Sequence, residues 1–311
     1  LRPNVQAADR IHAWTTPYSI QKRLKEASSL PAKVIELGDM IMAKGTVKPT
    51  KEVYTGGLLC YNQFGDLMGI SESNRMPASD RLIISFIGHY AGNVSGKCIS
   101  NWLSGLRLWH ETMGAPWPAD SHRIRQARRG ANVEGSHHKR PPRHPITIEH
   151  MKALHQELNF SIPFHCAVWA LVCTTFSACR WLGKLTVPSQ NTFDPKFHVI
   201  RDSKAITFNS KPTSVHFRIP WTKTTKEEGA LAVATSPIGD NTEFLCPSKA
   251  LRKHLLKNAV PEEFSLFGYI DDKGKPQHMV KKVFLDFCFD IWNRAALQAV
   301  FGHSFRIGGA V

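Results

Sequence analysis

Apolar residues recur at helical spacing over most of the chain and alternate in only one short region. Between residues 51 and 133, Tyr54, Leu58 and Tyr61 are followed at the same period by Leu67 or Met68. A second set comprises Leu82, Ile83, Phe86, Ile87 and Tyr90, and a third, at i, i+4, i+8 and i+11, comprises Cys98, Trp102, Leu106 and Trp109. Each set puts apolar side chains on one helix face with polar ones opposite. The region is therefore predicted to hold four short helices, the last starting at Asp120 or Ser121, either of which suits an N-cap, and running through Arg129. Trp102, Trp109, Phe86 and Tyr90 fall on the apolar faces and are assigned to the core.

Residues 1–50 carry two weaker amphipathic pieces, around 20–26 and 34–43, separated by Ser28, Ser29 and Pro31. They are predicted to form a loosely packed N-terminal arm. Residues 134–146 combine Pro, Gly and positive charge in the manner of an exposed linker, which separates a helical domain over 51–133 from a second domain over 147–311. The second domain opens with a helix whose apolar face is Ile148, Met151, Leu154 and Leu158, preceded by Thr147. Residues 162–176 are apolar on every side, yet the stretch is shorter than the roughly 20 residues a membrane span needs. It also contains Pro163, His165, Thr174 and Thr175, and is predicted to be a buried helix. Strand character appears at 197–201, 205–209 and 214–221, and in the last of these Val215, Phe217 and Ile219 alternate with His216 and Arg218. Helical spacing returns over 247–258 and over 279–295, the latter through Val280, Phe284, Phe287 and Ile291. The fold class is accordingly mainly α: an all-helical domain, then a mostly helical α+β domain with one small sheet.

Charge adds the first functional constraint. Among 311 residues, 40 Lys and Arg face 25 Asp and Glu, a formal net charge of +15, with a pI near 9.6. An excess of this size favours a polyanionic partner, because neutralised phosphates release condensed counterions. The densest positive stretch, 121–145, contains Arg123, Arg125, Arg128, Arg129, Lys139, Arg140 and Arg143 against Glu134 alone. The first six of these are the candidate DNA-binding residues. Charge by itself leaves DNA, RNA and simple solubility open. The apolar content, with 17 Phe and 8 Trp, excludes collagen-like and wholly disordered chains. The seven cysteines form no CxxC pair and are assigned as reduced thiols, neither a disulfide frame nor a zinc site. His137, His138, His144, His150, His155 and His165 lack cysteine partners at ligand spacing, so no metal is expected. The first thirty residues carry Arg2, Arg10, Lys22, Arg23 and Lys25 without the apolar run of a secretion signal, and an intracellular protein is expected.

Near the end of the chain, Gly302-His303-Ser304-Phe305-Arg306-Ile307-Gly308-Gly309 spaces His303 and Arg306 to share one face of a helix. About eighty residues earlier, Trp221-Thr222-Lys223-Thr224-Thr225 ends the alternating segment, and earlier still Arg180-Trp181-Leu182-Gly183-Lys184-Leu185 follows the buried helix. This HxxR box, with a lysine at the end of a strand and a preceding arginine-bearing box, resembles the tyrosine recombinases, or phage-type integrases. The resemblance covers residues 145–311, and the basic helical domain before them resembles that family's core-binding domain. It is nearest to the transposon-borne recombinases of fungal genomes called Crypton-like.

The resemblance implies a SAM-like helical core-binding domain followed by a DNA breaking-rejoining catalytic domain. It further implies duplex DNA as partner, assembly of homo-oligomers on DNA, a nuclear location, and neither membrane attachment nor a metal or small-molecule cofactor. The implied reaction is attack of a tyrosine on a phosphodiester, giving a 3′-phosphotyrosyl bond and a free 5′-hydroxyl. In that chemistry Arg306 would clamp the non-bridging oxygens through its planar fork, His303 would bond the same phosphate or assist proton transfer, and Lys223 would protonate the departing 5′-oxygen.

The sequence departs from the family pattern in three ways. No tyrosine follows Arg306, since Tyr18, Tyr54, Tyr61, Tyr90 and Tyr269 all precede it. The chain is therefore expected to be truncated and unable to cleave DNA. Trp181 occupies the place of the first-box arginine, leaving Arg180 one residue early, and one residue turns a helical side chain by about 100°. Lys184 stands where an acidic residue is usual. A non-enzymatic, domesticated DNA-binding module is the alternative to a recombinase, and an RNA-binding protein is a third reading.

Overall fold

The computed structural model describes residues 1–118, 121–178, 182–202, 204–211, 213–238 and 242–310. The chain divides into two compact units, Leu1–Pro141 and Pro142–Val311.

The first unit is built from α1 (Arg10–Ala13), α2 (Pro17–Ala27), α3 (Ala32–Lys44), α4 (Lys48–Leu67), α5 (Glu72–Arg75), α6 (Asp80–Tyr90), α7 (Gly96–Thr112) and α8 (His122–Glu134). Local chemistry sets several starts. Ser79, Ser95 and Ser121 each accept a hydrogen bond from the backbone N–H three residues on, opening α6, α7 and α8. The predicted last helix of this region is thus present and extends past Arg129 to Glu134. Packing centres on α4 and α7, which approach closely through two glycines. A β carbon at Gly57 would sit 2.4 Å from Trp102 Cα, and one at Gly105 would sit 2.3 Å from the Tyr54 carbonyl oxygen. Leu58, Tyr61, Phe86, Leu106 and Trp109 are fully buried there, with Tyr90 and Trp102 packed against them.

The N-terminal residues differ from the expected loose arm. Ile11 and Trp14 belong to the core of the unit, and the Trp109 indole N–H donates to the Trp14 carbonyl (2.9 Å). Arg2 pairs with Asp66 (2.8 Å) and Glu72 (3.0 Å). The four-residue α1 is too short to show a period in sequence, which hid this packing. Helix α3, in contrast, buries no residue. Part of the predicted linker also packs on this unit: Gly135 is buried beside Val94, and the His138 ring bonds the Gly92 carbonyl (2.9 Å).

The second unit contains α9 (Ile148–Glu157), α10 (Pro163–Ser177), α11 (Leu182–Leu185), β1 (Thr207–Ser210), β2 (Thr213–Ile219), β3 (Ala230–Thr235), α12 (Pro247–Lys257), β4 (Tyr269–Ile270), β5 (Pro276–Gln277), α13 (Lys281–Arg294) and α14 (Ser304–Gly308). Helix α10 is the predicted buried helix, with every residue from Cys166 to Thr175 inaccessible. It packs against α12 and β3. Among the described residues, no helix is long and apolar enough to cross a membrane.

The sheet is antiparallel in the order β1-β2-β3, with Phe208 opposite Val215 and His216 opposite Val233. Two of its strands match predicted segments; the third does not. Residues 197–201 form no strand and make only an isolated bridge, Ile200 to Ser265. The third strand is β3, Ala-Leu-Ala-Val-Ala-Thr, whose inward residues are Ala232 and Ala234 while Leu231 and Val233 are exposed. Small residues face inward because α10 lies against them. That inverts the usual pattern and, with alanine's weak strand preference, concealed the strand. A separate two-stranded hairpin pairs β4 with β5.

Candidate nucleic-acid interface

The second unit brings two of the predicted active segments against one short helix. Between β2 and β3 the chain makes a tight excursion in which Thr222 and Lys226 pair through both backbone bonds (3.2 and 3.0 Å). The Thr222 hydroxyl accepts from the N–H groups of Thr224 (3.3 Å) and Thr225 (3.0 Å). Gly229 closes the excursion with φ 65°, its β position only 2.2 Å from the Ile219 carbonyl oxygen, so no side chain fits. Lys223 is exposed at the tip.

Trp221, at the base of this tip, packs on α11. The Lys184 ammonium lies 4.3 Å and that of Lys226 5.5 Å from the indole centroid, with Phe197 edge-on at 5.9 Å. Burial lowers the Lys184 pKa from its ordinary value. The other end of α11 meets the turn before His303: a β carbon at Gly302 would sit 3.8 Å from Leu182 Cδ2 and 3.4 Å from both Leu285 Cδ1 and Lys281 Cε. The base of the hairpin and the HxxR turn thus both come near Leu182–Leu185, the turn lying closer still to α13.

His303 caps α14, and its carbonyl accepts from the N–H groups of Arg306 (3.1 Å) and Ile307 (3.3 Å). His303 and Arg306 are exposed, while Ser304 and Phe305 between them are buried. Phe305 anchors the helix against Phe284 (5.6 Å) and Trp292 (5.9 Å). The segment before it is pinned by His150, whose Nε2 bonds the Gln298 carbonyl (3.0 Å) and whose own carbonyl accepts from the Trp292 indole N–H (2.7 Å). Arg180 and Trp181 lie outside the described residues. Lys184, Lys226 and Lys281 belong to this cationic region and were missed in sequence. In sequence Lys184 reads only as a lost acid.

In the first unit, Arg123, Arg125 and Arg129 are exposed on α8, and Arg128 is half-buried with its Nη2 donating to Ser100 Oγ (3.4 Å). A cleft of about 370 Å³ is lined by Gly96, Lys97, Ser100, Arg125, Arg128, Arg129 and Asn132. The amino end of α7 therefore opens beside three arginines, so backbone N–H groups, the helix dipole and side-chain charge all favour an anion there. Lys97 and Ser100 come from α7, and a search for dense charge along the sequence could not pair them with α8. Lys139 and Arg140 are exposed just beyond the last turn of this unit, in a segment without regular structure. Among the described residues no group of three or more His, Cys, Asp or Glu side chains is arranged to hold a metal ion.

A helical unit is followed by a mostly helical unit with a three-stranded antiparallel sheet, a layout that resembles the tyrosine recombinase fold. Among solved structures the chain is similar to the XerH site-specific recombinase bound to its palindromic difH substrate in a post-cleavage complex, with a TM-score of 0.52. That likeness spans 98% of this chain and 81% of the other at 12% sequence identity, and it supports the tyrosine recombinase fold. No protein family matches the sequence, and none of the curated proteins matches it either.

Proposed function

We propose that this protein binds duplex DNA and holds a backbone phosphodiester in its second unit with Lys223, His303 and Arg306, as a relative of the tyrosine recombinases. The observation that carries this reading is that Trp221, two residues before Lys223, lies against Lys184, while Gly302, next to His303, lies near Leu182 of the same short helix, from segments some eighty residues apart in sequence. Arg306 supplies a planar two-pronged donor for the non-bridging oxygens, His303 a second donor, and Lys223 a proton for the leaving 5′-oxygen. The α7–α8 cleft of the first unit supplies non-specific backbone contacts. Descent from a transposon-borne recombinase, action in the nucleus and assembly of several copies on DNA belong to the same proposal.

These 311 residues hold no tyrosine beyond Arg306, so strand cleavage through the family's chemistry requires a nucleophile from outside them. The lysine at 184, where an acid is usual, favours the second reading, a DNA-binding module that retains the phosphate site without strand transfer. The test is a nicked suicide substrate. The 311-residue polypeptide is expected to bind it without forming a covalent adduct, and Arg306→Gln is expected to weaken that binding. A trapped protein–DNA adduct would overturn the module reading, and preference for single-stranded RNA over duplex DNA at fixed salt would overturn both.

A further inference from the structure

Lys226 takes a left-handed backbone conformation, φ 51°, which a side chain with a β carbon adopts at a cost and glycine adopts freely. The two backbone bonds to Thr222 hold it there. The consequence is chemical: the turned backbone lays the Lys226 ammonium 5.5 Å from the Trp221 ring centroid, where Lys184 already stands at 4.3 Å. Two cations from separate elements are thus held within about 10 Å of one another on one indole. Among the described residues neither is paired with a carboxylate. The nearest acids along the hairpin are Glu227 and Glu228, both exposed, and Glu228 accepts from Arg218 through its backbone carbonyl (3.0 Å). An aromatic ring offsets only part of the cost of bringing ammonium groups together around it. An anion bound beside this indole would offset the rest, and strained backbone retained at a ligand clamp is a recurrent pattern.

We propose that Lys184, Trp221 and Lys226 form a second phosphodiester-binding subsite beside the Lys223 tip, taking a DNA backbone phosphate distinct from the one assigned to Lys223, His303 and Arg306. The proposal rests on the DNA-binding reading above and extends it to residues outside the recombinase motif.

The test uses the full chain, a fluorescein-labelled duplex and a salt titration of affinity, with thermal melting alongside. Lys226→Gly is the discriminating variant. It relieves the strained backbone and removes the charge, so its melting temperature is expected to hold or rise while the slope of log affinity against log salt becomes shallower by about 0.9, one phosphate contact. Lys184→Met is expected to lose the same increment. If both variants keep the parental slope, the subsite is overturned, because a merely structural lysine pair would leave that slope alone. Arg125→Glu with Arg129→Glu, measured in parallel, separates the two ideas. If these substitutions weaken binding while the lysine variants do not, only the subsite falls. If none of the substitutions changes binding, the DNA reading falls and the subsite with it.

Discussion

Gly308 and Ile146 meet at a distance that only glycine allows: a β carbon at 308 would sit 2.1 Å from the Ile146 carbonyl oxygen. The Ile146 N–H in turn donates to the Ser304 carbonyl (3.1 Å), so the helix carrying Arg306 is fastened to the segment entering α9. The small residue that follows the HxxR box therefore serves close packing. Gly308→Ala is expected to destabilise the second unit by about 1–3 kcal/mol, since the obstructing atom is backbone and cannot swing aside. Urea unfolding of the variant measures this, and a stability equal to the parent's would show that α14 is not held against Ile146.

Acid should weaken both units through buried imidazoles. His110 donates from Nδ1 to the Leu106 carbonyl (2.8 Å) and accepts at Nε2 from the Ala78 N–H (3.1 Å). His254 bonds the Leu266 carbonyl (3.0 Å) through Nε2 and the Asn258 side chain (2.9 Å) through Nδ1. Burial pushes both pKa values down to about 4, from an ordinary 6.5. As pH falls through 6.5 the unfolded chain takes up these protons and the folded chain does not. Stability is therefore full above 6.5, declines between 6.5 and 4, and levels off below. Each histidine accounts for on the order of 3 kcal/mol over that window. Proton NMR titration of the two rings is the direct measurement, and an imidazole titrating near 6.5 would contradict the burial argument.

Charge reversal on α8 should act on all DNA alike. Arg125 and Arg129 line the cleft with Lys97 at the amino end of α7, where side-chain charge and the helix terminus both suit phosphate oxygens. Replacing either with glutamate is expected to weaken binding to every duplex sequence and to make the salt slope shallower by about 0.9 for each phosphate no longer neutralised. Weakening confined to one sequence would instead assign these arginines to base reading.

The inward alanines of β3 carry a prediction about packing. Ala232 and Ala234 are wholly buried on a strand that α10 packs against, and a larger side chain there must displace that helix. Ala234→Val is expected to cost about 1–3 kcal/mol in spite of valine's better strand preference. Leu231→Val, at an exposed position of the same strand, should be nearly neutral. Thermal melting of the two variants decides, and a stabilised Ala234→Val protein would mean the helix has room to move.

The linear pattern by itself determined the mainly helical class, the buried α10 and a start for α8 at Asp120 or Ser121. Each depends on residues within a few turns of one another, where periodicity and capping act. Only the tertiary structure decided that Ile11 and Trp14 enter the first core, that an alanine-rich segment is the third strand, and that Lys97 joins the arginines of α8. It also decided that Lys184 and Lys226 share Trp221. Those outcomes depend on which surface meets which after the chain has doubled back. A four-residue helix, a strand with its small residues inward and two lysines far apart in sequence carry no local period that would announce them.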